Sequence, residues 1–175
     1  MRLFIVSDTH GNQRFNQKIL SLAETVDQVI HLGDDYKDAT FLIDNNVSTI
    51  RVPGTWCHNY QDSMIDNRRF EEFHGWRFFL THTPSKDYHD LADDIDPNLV
   101  IVNQHCDVFC HGHTHEPRLS ELNGVTILNP GHLKADKDRG FSASYAIIDL
   151  TKTTCNICIH DFKTSEIIKQ KIIER

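Results

Sequence analysis

Aspartate and histidine residues recur in four short segments of this chain, and each segment directly follows an apolar run. The segments are Asp8-Thr9-His10, Gly33-Asp34, His82 and His111-Gly112-His113-Thr114-His115. Carboxylates and neutral imidazoles are common ligands of divalent transition metals. In the last segment three imidazoles lie within five residues, which a bound metal explains better than packing does. The residue types and their spacing therefore indicate a metal site.

Each segment taken alone also has an ordinary structural interpretation. Asp8 or Asn12 is a suitable N-cap for a helix, Gly33-Asp34 fits an exposed acidic turn, and a lone His82 is more often a core or surface residue. The shared site is favoured by the order of the segments, since all of them follow predicted strands. Open α/β sheets bind their ligands at the C-terminal ends of their strands.

Apolar periodicity predicts the elements that position these residues. The predicted strands cover residues 2–7, 29–32, 48–52, 69–73, 76–81, 99–102, 108–110, 126–128, 145–150 and 155–162. The predicted helices cover residues 15–26, 38–46 and the polar stretch 86–95. Helices that alternate with strands, followed by antiparallel strands, are typical of an α/β protein with mixed sheets. Because the chain has no repeat, low-complexity tract or linker, residues 1–175 are interpreted as one domain.

Composition and charge argue against several classes of protein. Hydrophobic residues make up 39% of the chain and charged residues 25%, as in ordinary globular proteins. The formal net charge of -7 argues against extended binding to nucleic acid, which needs a basic surface. We expect no membrane segment, because no stretch is long enough to span a bilayer and the first apolar run is too short for a signal peptide. The odd number of cysteines, five, predicts a reduced protein in the cytoplasm.

The four segments, together with a later Asn129-Pro130-Gly131 turn, resemble the motifs of the calcineurin-like metallophosphoesterase superfamily. The resemblance covers roughly residues 2–150 and points to the small bacterial and archaeal phosphodiesterase branch. It implies a four-layer α-β-β-α sandwich of two mixed β-sheets flanked by helices. It also implies a metal site at the C-terminal ends of the strands.

The same resemblance implies a ligand set for two divalent cations. One ion would be held by Asp8, His10 and His115. The other would be held by His82 and His113, and Asp34 would bridge the two. Asp34, His82 and His113 would also take part in catalysis. Nitrogen and oxygen ligands suit manganese, iron, nickel, cobalt or zinc rather than magnesium or calcium. Asn12 and His111 are similar to residues that lie beside the ligands or face the substrate.

The chain departs from the family pattern after its third predicted strand. The family has an asparagine ligand there, whereas this chain has Thr55. A threonine hydroxyl is a poorer ligand than an asparagine side chain. The second cation is therefore either bound more weakly or receives its missing ligand from His58 or Asn59, of which His58 is slightly favoured. Related proteins place a histidine next to that asparagine to protonate the leaving group. Trp56 occupies the matching position here, and the general acid is left unassigned.

The resemblance implies a metal-dependent phosphoesterase, specifically a phosphodiesterase, in which a hydroxide bridging two metal ions attacks phosphorus in line. Its expected partner is a small phosphate ester, and an oligomer is left open. The alternative function is a non-catalytic metal-binding or scaffold protein of the same fold with a degenerate second site, like the scaffold subunit of retromer. Nucleophilic catalysis by cysteine or serine is a remote alternative, because the sequence has neither a Cys followed six residues later by Arg nor a Gly-x-Ser-x-Gly motif.

A pair of cysteines, Cys155 and Cys158, has the spacing of redox and zinc motifs. In a strand, residues three apart point to opposite faces of the sheet, so the two thiols are not expected to converge. We therefore interpret both as core residues. A zinc site that also uses Cys106 and Cys110 is the less favoured alternative, because the spacing differs from that of a zinc ribbon.

Overall fold

The computed structural model describes all residues of the chain, 1–175. The helices and strands, in chain order, are β1 (Arg2–Val6), α1 (Asn16–Ala23), β2 (Gln28–His31), α2 (Thr40–Asp44), β3 (Thr49–Arg51), β4 (Arg68–Phe73), β5 (Trp76–Thr81), α3 (Pro97–Val102), β6 (Val108–Cys110), β7 (Arg118–Leu122), β8 (Val125–Asn129), β9 (Lys137–Asp138), β10 (Phe141–Ser142), β11 (Ser144–Leu150), β12 (Thr154–Asp161) and β13 (Ile167–Glu174). Short 3₁₀ helices cover Gln13–Phe15, Tyr36–Ala39 and His58–Gln61.

Two mixed sheets and a small hairpin contain all of the strands. The six-stranded sheet has the order β13-β12-β11-β1-β2-β3, and the five-stranded sheet has the order β4-β5-β6-β8-β7. Strands β1, β2 and β3 are parallel to one another, as are β5, β6 and β8. The other strands pair antiparallel, and β9 and β10 form the hairpin. In each sheet the parallel strands therefore end at the same edge.

The sheets pack face to face, and helices cover their outer faces. Alternation along β1 sends Leu3 and Ile5 into the core between the sheets, while Phe4 and Val6 face α1 and α2. A third cluster packs the outer face of the five-stranded sheet against α3; its members are Phe79, Val100, Ile101, Cys106, Phe109, Val125 and Ile127. The expected four-layer α-β-β-α sandwich is confirmed, with short and few helices.

The predicted strand at residues 99–102 is wrong, because these residues belong to the helix α3. A short apolar run has the same composition in a buried strand and in a buried helix, so the run itself did not distinguish them. The distinguishing residues come earlier. The Asp96 side chain accepts a hydrogen bond from the backbone N–H of Asn98, and Pro97 occupies the first turn, where its missing N–H costs nothing.

The predicted polar helix at residues 86–95 is also wrong, since this segment consists of turns. Its aspartates bond to the backbone of the segment and compete with helical hydrogen bonds. Asp87 accepts from the backbone N–H of His89, and Asp94 accepts from that of Leu91. Asp90 and Asp94 also pair with the buried Arg68. The segment is therefore held by its side chains rather than by a helix.

Four strands were not predicted: β7, β9, β10 and β13. Strand β13 is a mostly exposed edge strand, so its apolar residues lack the sustained burial pattern that signals a strand. On β12, Cys155 lies in the core between the sheets and Cys158 lies outside that core, as expected from the strand period. All five cysteines are free thiols. None of the helices has the length and apolar character required to traverse a bilayer.

Candidate metal centre

The six predicted ligands follow the ends of four parallel strands. Asp8 and His10 come after β1 and Asp34 comes after β2, both in the six-stranded sheet. His82 comes after β5, and the histidine-rich segment 111–115 comes after β6, both in the five-stranded sheet. Because parallel strands place their carboxyl ends at one edge, the two sheets bring these side chains together.

Asp8, His10 and His115 form the first cluster. Their candidate ligand atoms all lie within 4.8 Å of one another. The Nε2 atom of His115 is 3.2 Å from Asp8 Oδ1 and 3.1 Å from the Nε2 atom of His10. Two imidazole nitrogens that approach this closely share either a proton or a cation. The cluster therefore has the composition and the spacing of a metal site.

Asp34 lies at the centre of the second cluster. Asp8, Asp34 and His82 place their candidate ligand atoms within 4.8 Å of one another. Asp34 Oδ2 is 3.2 Å from His82 Nε2 and 3.9 Å from His10 Nε2, so this carboxylate faces both clusters. His113 joins at the side of His82, with its Nδ1 atom 3.3 Å from His82 Nε2. Asp34 Oδ1 is buried without a hydrogen-bond partner, which fits a carboxylate that binds cations.

Hydrogen bonds behind the cluster orient two of the imidazoles. The Nδ1–H of His82 donates to the carbonyl oxygen of Leu32 at 2.8 Å, and the Nδ1–H of His115 donates to Asp138 Oδ2 at 2.5 Å. In each neutral ring the lone pair is then on Nε2, which faces the other ligands. Asp138 was not among the predicted site residues, because the polar sequence around it has no ligand spacing.

Burial and charge set the protonation of the cluster. Burial raises the pKa of Asp8, but the hydrogen bond with His115 and the nearby His82 outweigh it and lower that pKa to about 2. Burial lowers the pKa of His10 and of His113, and the charge of His82 lowers the latter further. These two imidazoles are therefore neutral near pH 7, the form that binds metal. Burial also acts on His82, but Asp34 and Asp8 outweigh it and raise its pKa.

The backbone turns sharply at this edge of the sheets. Five of the six predicted ligands have left-handed backbone angles: Asp8 (φ 54°), His10 (φ 47°), Asp34 (φ 22°), His113 (φ 68°) and His115 (φ 63°). Such angles are uncommon for residues other than glycine and concentrate at functional sites. Gly54 packs against the carboxylate of Asp34 so closely that a Cβ atom there would lie 1.7 Å from Oδ1.

A second layer of polar groups fixes the turn after β1. The Thr9 hydroxyl donates to Asp38 Oδ2 at 2.6 Å, and the backbone N–H of Gly11 donates to the same oxygen at 2.6 Å. The ring of His31 lies 3.0 Å from the Thr9 hydroxyl, and burial lowers its pKa to about 4, so it is neutral. Asp38 has no characteristic spacing from the predicted ligands in the sequence, and it acts through the turn that carries His10.

Asn12 and His111 lie beside the cluster rather than in it. The Asn12 side chain accepts from the backbone N–H of Arg14 and donates to the carbonyl of Leu133, so it caps the short 3₁₀ helix. His111 is buried, its Nδ1–H donates to Gly112, and burial lowers its pKa to about 4. The Asn129 amide donates to Gly112 and Thr114, which shapes the histidine-rich segment.

The segment after β3 supplies no further member of the two clusters. Thr55 is buried and follows Gly54, which contacts Asp34. His58 is exposed and Asn59 is half-buried, and both line a surface cavity with Trp56 and Lys37. Of the three residues considered for the missing ligand, only Thr55 is buried and directly follows the glycine that contacts Asp34. The slight preference for His58 gains no support from this arrangement.

The fold, the ligand cluster and the comparison with known sequences all indicate the same class of protein, a metal-dependent phosphoesterase. Residues 1–153 match the Calcineurin-like phosphoesterase superfamily domain. The chain therefore belongs to the calcineurin-like phosphoesterase superfamily, and this domain together with relatives named phosphodiesterase and probable metallophosphoesterase identifies it as a hydrolase of phosphoric esters. The family predicted from the sequence motifs is confirmed.

Relatives come from bacteria and archaea. A phosphodiesterase of Methanocaldococcus jannaschii is 28% identical over 148 residues, which cover 75% of this chain and 83% of that protein. A probable metallophosphoesterase of Bacillus subtilis is 25% identical over 171 residues, which cover 95% of each chain. This chain is similar to both over most of their length.

Solved structures share the fold. A phosphoesterase from Escherichia coli superposes with a TM-score of 0.72 at 23% identity and covers 98% of each chain. Vps29 from Entamoeba histolytica superposes with a TM-score of 0.70 at 17% identity over 100% of this chain and 99% of that one. At these identities the likeness shows the architecture alone. Both an enzyme and a Vps29 protein use it.

Proposed function

We propose that this protein is a phosphodiesterase that uses two divalent transition-metal ions, of manganese, iron, nickel, cobalt or zinc, to hydrolyse a small phosphate ester. The observation that carries the proposal is the buried carboxylate of Asp34, which has an unpartnered oxygen and faces imidazoles on two sides. Two adjacent cations acidify water, neutralise the phosphoryl oxygens and align attack opposite the leaving group. In this proposal residues 1–175 act as one catalytic domain.

The residues present fit such cations. Asp8, His10 and His115 would hold one ion. His82 and His113 would hold the other, and Asp34 would lie between the two. The donors are carboxylate oxygens and imidazole nitrogens without a thiolate, a set that suits the transition metals named above. Asp8 is ionised at any pH near neutrality because its pKa is about 2.

Several residues of the chain prepare the site. Asp138 and the carbonyl of Leu32 hold the rings of His115 and His82 with Nε2 toward the centre. Asp8 accepts hydrogen bonds from the backbone N–H of His113 at 3.0 and 3.1 Å, which joins the loops of the two sheets. A cluster positioned in this way loses little freedom when it binds cations and substrate.

Hydrolysis of bis-p-nitrophenyl phosphate with added manganese tests the proposal. We expect activity that a chelator removes and that returning metal restores. Asp34→Asn should reduce activity to background while the far-ultraviolet circular dichroism stays unchanged, because a neutral amide cannot compensate two cations. The matched control is Asp35→Asn, since Asp35 is the neighbouring carboxylate and is exposed. Full activity of Asp34→Asn with two bound metals would overturn the bridging role.

The alternative is a scaffold protein of the same fold. It is favoured by one observation, the threonine at position 55 where the family has an asparagine ligand. A scaffold has no need for six converging side chains, Asp34 and the five around it, which is why the enzyme is preferred. Absence of metal-dependent hydrolysis of any phosphate ester by the metal-loaded protein would favour the scaffold.

A further inference from the structure

Two aromatic side chains are almost fully exposed next to each other. Trp56 is 76% exposed and Tyr88 is 85% exposed, whereas the other tryptophan, Trp76, is 1% exposed. The ring of His89 neighbours both, with its centroid 6.4 Å from that of Trp56 and 3.6 Å from that of Tyr88. We call these three residues the aromatic platform. Exposed aromatic groups that cluster mark binding surfaces more often than single exposed residues do.

The aromatic platform adjoins the metal centre through the segment that follows β3. Trp56 is two residues after Gly54, which contacts the carboxylate of Asp34. On the other side, the His89 ring donates to Asp87 Oδ1 at 2.8 Å. Trp56 also lines a cavity with Asp38, which accepts from the backbone N–H of Gly11, the residue after His10. A substituent on a phosphate bound at the centre would therefore reach the platform.

The loops that carry the platform are braced against each other. Tyr60 donates to Asp90 at 2.7 Å, and the buried Arg68 donates to the same carboxylate at 2.8 Å. The side chain of Gln61 donates to the carbonyl of His89. Rigid support keeps the rings exposed rather than collapsed onto the surface. Aromatic rings presented in this way stack well on flat heterocycles, because little conformational freedom is lost.

The cavity that Trp56 lines is polar and has a volume of 320 Å³. Its lining includes Lys37, Asp38, His58 and Asn59, which offer both hydrogen-bond donors and acceptors. The combination of a stacking surface and a polar cavity fits a nucleobase, which has two apolar faces and a polar edge. An alkyl ester offers no flat face for the aromatic platform, and a sugar has no planar polar edge for the cavity.

We propose that the aromatic platform binds the base of a nucleoside phosphate ester, so that the substrates are nucleotidyl phosphodiesters. This proposal rests on the proposed function, because it assigns the substrate class of the same site. The base stacks on Trp56 and Tyr88, and its phosphate lies at the metal centre. The negative formal charge of the chain, -7, suits a single small nucleotide better than a long nucleic acid.

Tryptophan fluorescence tests the stacking without any need for catalysis. Adenosine 5′-monophosphate and ribose 5-phosphate differ only in the base. We expect the former to quench the emission of Trp56 and the latter to leave it unchanged, and we expect Trp56→Phe to lose the quenching. Trp76 does not interfere, because it is buried and donates to the carbonyl of Thr151. Equal responses to the two compounds would overturn the proposal.

Hydrolysis of two diesters with the same leaving group gives a second test. Thymidine 5′-(p-nitrophenyl phosphate) and ethyl p-nitrophenyl phosphate both release p-nitrophenolate, and only the first carries a base. We expect kcat/KM to be about tenfold higher for the thymidine ester, as stacking of one base provides. Trp56→Ala and Tyr88→Ala should bring the ratio of the two values close to one. Ile172→Ala, an exposed residue of the edge strand β13, should leave both values unchanged.

The two experiments separate the platform from the catalytic proposal. If neither diester is hydrolysed but the nucleotide still quenches Trp56, the proposed function fails and the aromatic platform stands. If both diesters are hydrolysed at equal kcat/KM with metal and quenching is absent, the proposed function stands and the platform is overturned.

Discussion

His115 lies between two carboxylates, Asp8 at the metal centre and Asp138 behind the ring. The Nδ1–H donates to Asp138 at 2.5 Å, and Nε2 is 3.2 Å from Asp8. A carboxylate behind a histidine ligand fixes the ring and raises its basicity. We expect Asp138→Ala to weaken metal binding by roughly 10- to 100-fold. Calorimetric titration with manganese measures the effect.

The control for this prediction is Asp136→Ala, two residues earlier. The Asp136 side chain is 74% exposed and pairs only with the exposed Arg14, so its loss should leave metal affinity unchanged. Equal affinity of the Asp138→Ala protein and the unmodified protein would show that the ring of His115 is held by its other contacts.

Metal binding should also depend on pH through His82. Burial lowers the pKa of this imidazole, but the hydrogen bond with Asp34 and the charge of Asp8 raise it above its ordinary value. A proton therefore competes with metal for His82 below that raised pKa, and metal binding releases it. We expect affinity to fall by about tenfold per pH unit in that range. Asp8, with a pKa of about 2, does not compete there.

Calorimetry in buffers of different ionisation enthalpy measures this proton release directly. The release should be close to one proton below the pKa of His82 and should vanish above it. A constant heat across the buffers at low pH would contradict the assignment of His82 as a ligand.

Sequence spacing was sufficient to find the side chains that converge, because each of them ends a strand. The structure brings all six together, while their role as ligands stays a prediction. Asp138 and Asp38 were not found, because they approach His115 and Thr9 from distant parts of the chain. A residue that acts by hydrogen-bonding to another has no characteristic sequence distance from it.

Strand β4 presents two neighbouring arginines to different surroundings. The Arg68 side chain is 1% exposed and pairs with Asp90 and Asp94, whereas that of Arg69 is 39% exposed and pairs with Glu71. Removing one partner of a buried ion pair leaves the other charge uncompensated. We expect Arg68→Ala to lower the free energy of unfolding by about 3–5 kcal/mol. Urea denaturation provides the measurement.

Arg69→Ala is the matched control for the buried arginine. Because exposed ion pairs contribute little, its effect should stay within about 1 kcal/mol. Similar losses for the two variants would mean that the Arg68 network does not brace the loop at residues 83–96.

Most strands could be predicted because they are buried and apolar, and their limits agree within a few residues. The predicted secondary structure is wrong where side-chain hydrogen bonds, rather than apolar periodicity, determine the backbone conformation. Residues 97–102 became a helix through Asp96 and Pro97, and residues 86–95 stayed in turns through their own aspartates. Strand β13 was missed because an exposed edge strand has little apolar pattern.

The metal centre joins the two sheets of the molecule. Asp8, His10 and Asp34 come from the six-stranded sheet, and the other ligands come from the five-stranded sheet. Cations bind there to the folded protein and not to the unfolded chain, so they stabilise the fold. At a free metal concentration of about 100 times Kd, one site adds about 2.7 kcal/mol to the free energy of unfolding. We therefore expect a chelator to lower the unfolding temperature measured by calorimetry.

The control for metal removal is the Asp34→Asn protein. If Asp34 bridges the ions, the chelator should lower the unfolding temperature of this variant by less than it lowers that of the unmodified protein. A chelator effect of equal size in both proteins would indicate that the stabilising metal binds elsewhere.

The architecture of the whole molecule followed from a resemblance carried by a few loop residues. These motifs identify the fold because the same strand ends must converge in any chain that uses them. They do not determine what binds at the exposed side chains of Trp56 and Tyr88, since surface residues are free to differ among proteins of one architecture.

Five ligand positions have left-handed backbone angles, which place the side chains at the metal centre but lower the stability of the fold. Each such residue holds a conformation that glycine adopts at lower cost, and strain of this kind is of the order of 1–3 kcal/mol per residue. Laboratory evolution that selected only for heat resistance in the absence of metal should therefore replace Asp8, His10, His113 or His115 by glycine or asparagine early. The protein would gain thermal stability as it lost its site. A lineage that keeps all of these residues is therefore one in which the metals are in use.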